Sequence, residues 1–249
     1  MNILVTGATA GFGEAIARRL IGEGHTVIAT GRRADRLNAL AADLGPKLVP
    51  RVMDVTKRSD VEASFAWVEA TVGPLDCLVN NAGLALGLES ADKVSLDDWE
   101  TMIDTNIKGL IYCTHAALPK MVERNSGWVI NLGSTAGTYP YPGGNVYGAT
   151  KAFVHQFSLN LRSDLVGKNV RVSSIEPGLC GGTEFSNTRF KGDDAKASAV
   201  YQGTQPLTAE DLANTVSWLL SLPDHVNINT IEMMPTCQAP GPLAVKRNA

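Results

Sequence analysis

The sequence predicts an α/β protein: one domain built on a doubly wound, seven-stranded parallel sheet with helices on both faces. Three observations lead to that expectation. Strand-like and helix-like segments alternate along the chain, the pattern of a parallel sheet covered on both sides. The strand segments include continuous apolar runs such as Val27-Ile28-Ala29, which fit strands buried on both faces better than strict alternation would. The first strand passes through a glycine-rich turn directly into a helix. Right-handed crossovers would then set a ligand crevice at the carboxyl ends of the strands.

In chain order the strands are expected at residues 3–6, 26–30, 48–53, 77–80, 128–132, 170–175 and 230–233. Helices are expected at 12–23, 34–44, 57–72, one long stretch at 95–123, 146–165 and 209–222. Ile16, Leu20 and Ile21 give the first helix its apolar face, and Gly22 and Gly24 mark its end. Gly45-Pro46 and Gly73-Pro74 close the next two. Two segments fall outside the alternation. Residues 178–205 are glycine-rich and polar, too long for an idle connection in a compact domain, and are read as a substrate loop. The tail 235–249 carries Pro235, Pro240 and Pro242 and is expected to drape over a neighbouring subunit or stay loose. With no repeat or low-complexity linker, residues 1–249 read as a single domain.

Composition narrows the function. A 44% hydrophobic content suits a chain with a substantial core. A net charge of −3 without long runs of one sign gives no support for nucleic-acid or polyanion binding. Cys77, Cys113, Cys180 and Cys237 are widely spaced, and only 4 histidines accompany them. Buried free thiols are therefore expected rather than a metal site. The first strand starts too near Met1 to leave room for a signal peptide, and no apolar stretch approaches membrane-spanning length, so the protein is expected in the cytoplasm.

Chemistry is concentrated in two places. Tyr147 and Lys151 stand four apart, one turn along one helical face, and Ser134 ends the strand region thirteen positions before Tyr147. A phenol with a pKa of about 10 transfers protons poorly at neutral pH, and a nearby ammonium would favour its phenolate. A serine hydroxyl could then hold the oxygen of a carbonyl or alcohol beside it. The second place is the turn Gly7-Ala8-Thr9-Ala10-Gly11-Phe12-Gly13. Glycines allow the backbone to wrap a pyrophosphate, and the following helix presents free amides and a positive dipole end. The second strand ends near Arg32-Arg33, where an acidic side chain would mark NAD. Arginine is unfavourable at a helix amino end and calls for an anion. The pair is read as gripping the 2′-phosphate of NADP, against the alternative of decorating an exposed helix start.

Taken together, these motifs resemble the short-chain dehydrogenase/reductase family over nearly the whole chain, which implies a Rossmann fold. Asn80-Asn81-Ala82-Gly83 resembles the family's sheet-stabilising motif, and Asn106, Ser134, Tyr147 and Lys151 match its four catalytic positions. Within the family the likeness runs to NADP-dependent 3-hydroxy acid dehydrogenases, which also act on L-allo-threonine and serine. It is suggested by Gly143–Tyr147 and by the run from Glu176 to Phe185.

The resemblance implies that Tyr147 exchanges the substrate proton, that Lys151 lowers the phenol pKa and binds the nicotinamide ribose, and that Asn106 holds a water linking Lys151 to solvent. It places Asp54-Val55 against the adenine and Asn81 along the cofactor cleft. It lays Pro177, Gly178, Leu179, Cys180, Gly181, Gly182, Thr183, Glu184 and Phe185 along the nicotinamide side. Taken alone, Asp54 also fits a helix cap ahead of Lys57, and Asn81 and Asn106 fit structural hydrogen bonds. Thr183 comes six residues after Pro177, where many relatives have a threonine at five, so which hydroxyl meets the nicotinamide carboxamide stays open. His155 reads as a subunit contact or as packing.

A 3-hydroxy acid needs a cation to offset desolvation of its carboxylate. Arg189, with Lys191 as the other cation nearby, is the first candidate, against the alternative of a solvated loop charge. A sulfonate such as sulfoacetaldehyde would suit the same cation. Reduction of neutral carbonyls and NADP(H) sensing without turnover are the rival functions; the complete Asn106, Ser134, Tyr147, Lys151 set argues against the latter. By resemblance a homotetramer is expected, with Phe153, Phe157 and Leu161 as an interface stripe or, alternatively, as core.

Overall fold

The computed structural model describes residues 1–241, and its seven strands form one sheet. They are β1 (Asn2–Val5), β2 (Thr26–Gly31), β3 (Leu48–Val52), β4 (Cys77–Asn80), β5 (Gly127–Leu132), β6 (Val170–Pro177) and β7 (Thr230–Met233). All neighbours are parallel, in the order β3-β2-β1-β4-β5-β6-β7. Between them lie α1 (Gly11–Gly22), α2 (Ala34–Leu44), α3 (Arg58–Thr71), α4 (Leu96–Ile103), α5 (Leu110–Glu123) and α6 (Asn145–Asp164). The short helices α7 (Phe185–Arg189) and α8 (Asp194–Ala199) precede α9 (Ala209–Leu220). The strand order reverses at the β1–β4 junction, the switch point where an open α/β sheet forms its crevice.

Burial explains the unbroken apolar runs. Ile3, Val5, Val27 and Ala29 pack with Ile16, Leu20, Leu37, Leu212 and Val216 on one face. Leu4, Ile28, Leu78 and Val129 pack with Val61, Phe65, Cys113 and Leu161 on the other. Beneath the site a polar chain crosses this second layer. Asn80 Nδ2 donates to Thr114 Oγ1 at 3.0 Å and to Asn131 Oδ1 at 2.9 Å, and Asn131 Nδ2 donates to Ser158 Oγ at 2.9 Å. It ties β4 and β5 to α5 and α6, and buried amides satisfied in this way fix a unique arrangement.

The long helix expected at 95–123 is interrupted. Between α4 and α5 the segment Asp104–Gly109 widens into a π-helical turn, a form often found at functional sites. Asn106, 2% exposed, lies in it. Its Oδ1 accepts from Leu84 N at 2.9 Å, while Nδ2 donates to Leu84 O at 2.9 Å and Thr150 Oγ1 at 3.1 Å. A Cβ on Gly109 would sit 2.8 Å from Val55 Cγ2, so the turn presses on its neighbour where only glycine fits. Residues 178–205 are also more ordered than expected, since they contain α7 and α8.

Tail residues 235–241 fold back on their own chain: Gln238 Oε1 accepts from Leu179 N at 2.6 Å. The rest of the tail, Pro242 included, lies outside the described residues. The expected interface stripe divides. Leu161 belongs to the chain's own core, while Phe153 and Phe157 are half-buried and stack with ring centroids 5.6 Å apart.

Because one carboxamide satisfies both main-chain groups of Leu84, Asn106→Ala is expected to destabilise the fold. The expected loss is about 1–3 kcal/mol in urea unfolding, the cost of orphaned buried polar groups. An unchanged midpoint and slope would contradict this role.

Candidate active site

Two adjoining cavities open at the carboxyl ends of the strands. The first, of about 330 Å³, runs from Gly7, Thr9, Ala10, Gly11 and Phe12 past Gly31, Arg32 and Arg33 to Asp54, Val55 and Asn81. Gly7 and Gly11 have φ of +68° and +55°, values that favour glycine. A Cβ on Gly13 would strike the Gly7 carbonyl oxygen, so Gly13 serves close packing of turn on helix rather than the lining. Ala8 is fully buried and likewise stands behind the surface. The start of α1, with no side-chain cap, faces this space, and such amides suit a phosphate anion.

Asn81 does two things. It lines the cavity, and its Nδ2 donates to Thr6 O at 2.8 Å. Asp54 also lines the cavity, and its Oδ1 accepts from Thr56 N at 3.0 Å and Thr56 Oγ1 at 2.8 Å. Burial pushes its carboxyl up, but the Thr56 bonds, with Arg32 and Lys57, hold it below the ordinary value. It turns the chain ahead of α3 without capping that helix, whose N-cap is Lys57.

The arginines divide the work expected of them. Arg32 is exposed at the rim. Arg33 donates through Nη2 to Thr9 Oγ1 at 2.9 Å and through Nη1 to Glu184 Oε2 at 2.9 Å, and Arg36 reaches Glu184 Oε1 at 2.7 Å. The anion meeting these guanidinium groups is therefore in part Glu184, brought over from the 178–205 segment.

The second cavity, of about 290 Å³, brings together Ser134, Tyr147, Lys151, Pro177, Gly178, Leu179, Cys180, Thr183, Phe185 and Arg189. Gly181 and Gly182 do not line it; Gly181 instead packs close to Pro206. Ser134 caps the start of a 3₁₀ turn, Thr135–Gly137, and its Oγ accepts from Ala136 N at 3.1 Å. That turn lies directly on α6, because a Cβ on Gly137 would meet Ala152 N at 2.8 Å. The close approach brings Ser134 within hydrogen-bonding reach of Tyr147.

Tyr147 and Lys151 are each 8% exposed. Burial pushes the phenol up to about 12, opposed first by the charge of Arg189 and then by the Ser134 hydrogen bond. Burial pulls Lys151 down to about 8, opposed by Glu176. The lysine Nζ donates to Leu132 O at 2.8 Å and lies 5.9 Å from the Tyr147 ring centroid. Arg189 is thus a second cation close to the phenol, alongside Lys151.

Arg189, at the end of α7, is not a solvated loop charge. Its guanidinium carbon lies 5.1 Å from the Tyr147 ring centroid and 5.2 Å from that of Phe185, and Nη2 donates to Tyr141 Oη at 2.9 Å. Its Nε is buried and has no hydrogen-bond partner. Lys191, the other candidate cation, turns away to Asp98 at 2.7 Å. Sequence reasoning missed Tyr139, Tyr141, Tyr201 and Gln238 in the lining. The run Tyr139-Pro140-Tyr141-Pro142 just ahead of Tyr147 is the one signal that could have drawn attention to two of them. Among the described residues no group of side chains could hold a metal ion, and no helix is long and apolar enough to cross a membrane.

The short chain dehydrogenase family model matches residues 1–194. The chain is 62% identical over 248 residues to the NADP-dependent 3-hydroxy acid dehydrogenase YdfG of Salmonella typhi, covering 100% of each. It is 53% identical over 238 residues to a serine 3-dehydrogenase of Agrobacterium fabrum, covering 96% of this chain and 95% of that one. Among solved structures, the closed form of a serine dehydrogenase complexed with NADP+ superposes with a TM-score of 0.96 at 62% identity over 100% of both chains.

Proposed function

The chain belongs to the short-chain dehydrogenase family, and from that premise we propose that it is an NADP-dependent oxidoreductase acting on small acidic 3-hydroxy acids and their semialdehyde or oxo forms. Serine, L-allo-threonine and 3-hydroxypropionate represent the substrate class; the relatives reported above are named for 3-hydroxy acids and for serine. The observation that carries the acidic part is the buried, unpartnered Nε of Arg189 beside the Tyr147 ring. A guanidinium there can hold a carboxylate while the carbinol oxygen rests between Ser134 and Tyr147.

The first cavity fits the cofactor. Its glycine turn leaves the amides of α1 open to a pyrophosphate, and Arg32 and Arg33, which line the same cavity, would hold a 2′-phosphate. When bound, NADP(H) supplies the hydride acceptor or donor. The protein's residues do the rest. Ser134 fixes the substrate oxygen, Tyr147 takes its proton during oxidation and returns it during reduction, and Lys151 holds the ribose and a positive charge beneath the phenol. A Cβ on Gly83 would lie 3.3 Å from Asn106 Oδ1 and 3.6 Å from Lys151 Nζ, so these two groups converge. That neighbourhood supports Asn106 in holding a water that links Lys151 to solvent. The protein is further proposed to act in the cytoplasm, where its free thiols would stay reduced. It is proposed to assemble as a homotetramer through the α6 face carrying Phe153 and Phe157.

Initial rates with NADP over acidic and neutral alcohols test the substrate class. Arg189→Met should lower kcat/KM for 3-hydroxypropionate by roughly tenfold to a hundredfold, the worth of a charged hydrogen bond, and spare a neutral aldehyde of similar size. Equal losses on both would show that the carboxylate is held elsewhere. Replacing Arg32 and Arg33 together with alanine should raise the Michaelis constant for NADPH far more than that for NADH. Parallel changes would remove the 2′-phosphate assignment.

A further inference from the structure

Lys151 is buried, and its ammonium donates to the main-chain oxygen of Leu132. A buried cation held by one neutral carbonyl would lose its proton readily. The acid that acts against this is Glu176, near the end of β6, whose side chain is only 3% exposed.

The carboxyl has a built seat. Its Oε1 accepts from Ser174 Oγ at 3.0 Å and lies 2.6 Å from His155 Nδ1. His155 follows Lys151 by one turn on α6, so lysine and histidine share the helix face that looks onto β6. Across from it Gly133 follows the last residue of β5, and a Cβ there would meet Glu176 Cγ at 2.8 Å and Ser174 Oγ at 3.0 Å. The strand edge is cut back to glycine where the carboxyl sits. The ionisable groups around it are Lys151 and His155 from α6 and Glu232 from β7. Glu232 is the register partner of Glu176; it is exposed and accepts from Tyr139 Oη at 3.1 Å.

We propose that Glu176 is a positioning residue of the active site: its carboxylate, seated by Ser174, His155 and the glycine edge of β5, holds Lys151 in its charged form beneath Tyr147. The proposal rests on the reading of Tyr147 and Lys151 given under Proposed function. Glu176 touches neither substrate nor cofactor in this role and acts through the lysine. The sign follows from the groups involved. Lys151 already sits at about 8 with the carboxylate present, so removing that charge lowers it further, and the ammonium is lost at a lower pH. A weaker cation beneath the phenol also demands a higher pH for phenolate. The active range therefore narrows from both sides.

The test is the pH dependence of kcat/KM for NADP-linked oxidation of 3-hydroxypropionate by the full chain. Glu176→Gln, which keeps shape and removes charge, is expected to move the alkaline limb to lower pH by about one unit or more. His155→Phe, at a side chain 36% exposed where the fold tolerates change, is the second variant. It is expected to move the same limb in the same direction by less. Profiles for both variants that superimpose on the wild type after scaling, however low the rate, would overturn the proposal and leave Glu176 a purely structural residue. A wild-type chain without NADP-linked turnover would instead overturn the functional reading, and this proposal with it.

Discussion

A phenol and an ammonium one helical turn apart are buried together at the end of a parallel sheet, and the surrounding structure is arranged to keep both there. Isolated in such a place, each group is driven toward its neutral form: burial raises the Tyr147 phenol and lowers the Lys151 ammonium. The opposing support comes from several elements at once. The β5 terminus offers the Leu132 carbonyl, the 3₁₀ turn offers Ser134, β6 offers Glu176, and α7 brings Arg189 over the ring. None of these would be in register if α6 could slide. The amide chain from Asn80 through Asn131 to Ser158 pins it to the sheet, and Gly137 and Gly148 let the preceding turn press against its backbone.

The 178–205 segment links the two cavities physically. Thr183 lies against the glycine turn so closely that a Cβ on Gly11 would come within 3.2 Å of it. Glu184 reaches Arg33 and Arg36 on the cofactor side, while Arg189 reaches Tyr147 on the substrate side. Its outer attachments are exposed ion pairs, individually worth little. Arg189 thus sits on the same short helix that begins next to Glu184.

Much of this was legible in the sequence because it depends on local rules. Strand 77–80, helix 34–44 and strand 230–233 follow from apolar runs bounded by glycine and proline, and the structure reproduces those bounds. The glycine turn, Tyr147 and Lys151 were visible because their chemistry demands fixed spacing. What escaped depends on contacts across the chain. The π turn at Asp104–Gly109 is fixed by Leu84 and Thr150, twenty-two and forty-four residues from Asn106, and nothing within 95–123 announces it. The pairing of Arg33 with Glu184 spans 151 residues, so the arginine pair read as if phosphate were its only anion. The position of Arg189 against the Tyr147 ring likewise depends on a contact forty-two residues long.

The proton-carrying role of Tyr147 is the point on which this chemistry turns, and it is tested most directly by comparing NADP-linked turnover with NADPH affinity in Tyr147→Phe. The ring and its packing persist in that variant, so NADPH should bind with a Kd within about twofold of the wild type. Loss of the acid–base group should lower kcat by roughly a hundredfold to ten-thousandfold. Retention of more than a few per cent of the wild-type rate would contradict the assignment and move the proton transfer to another group.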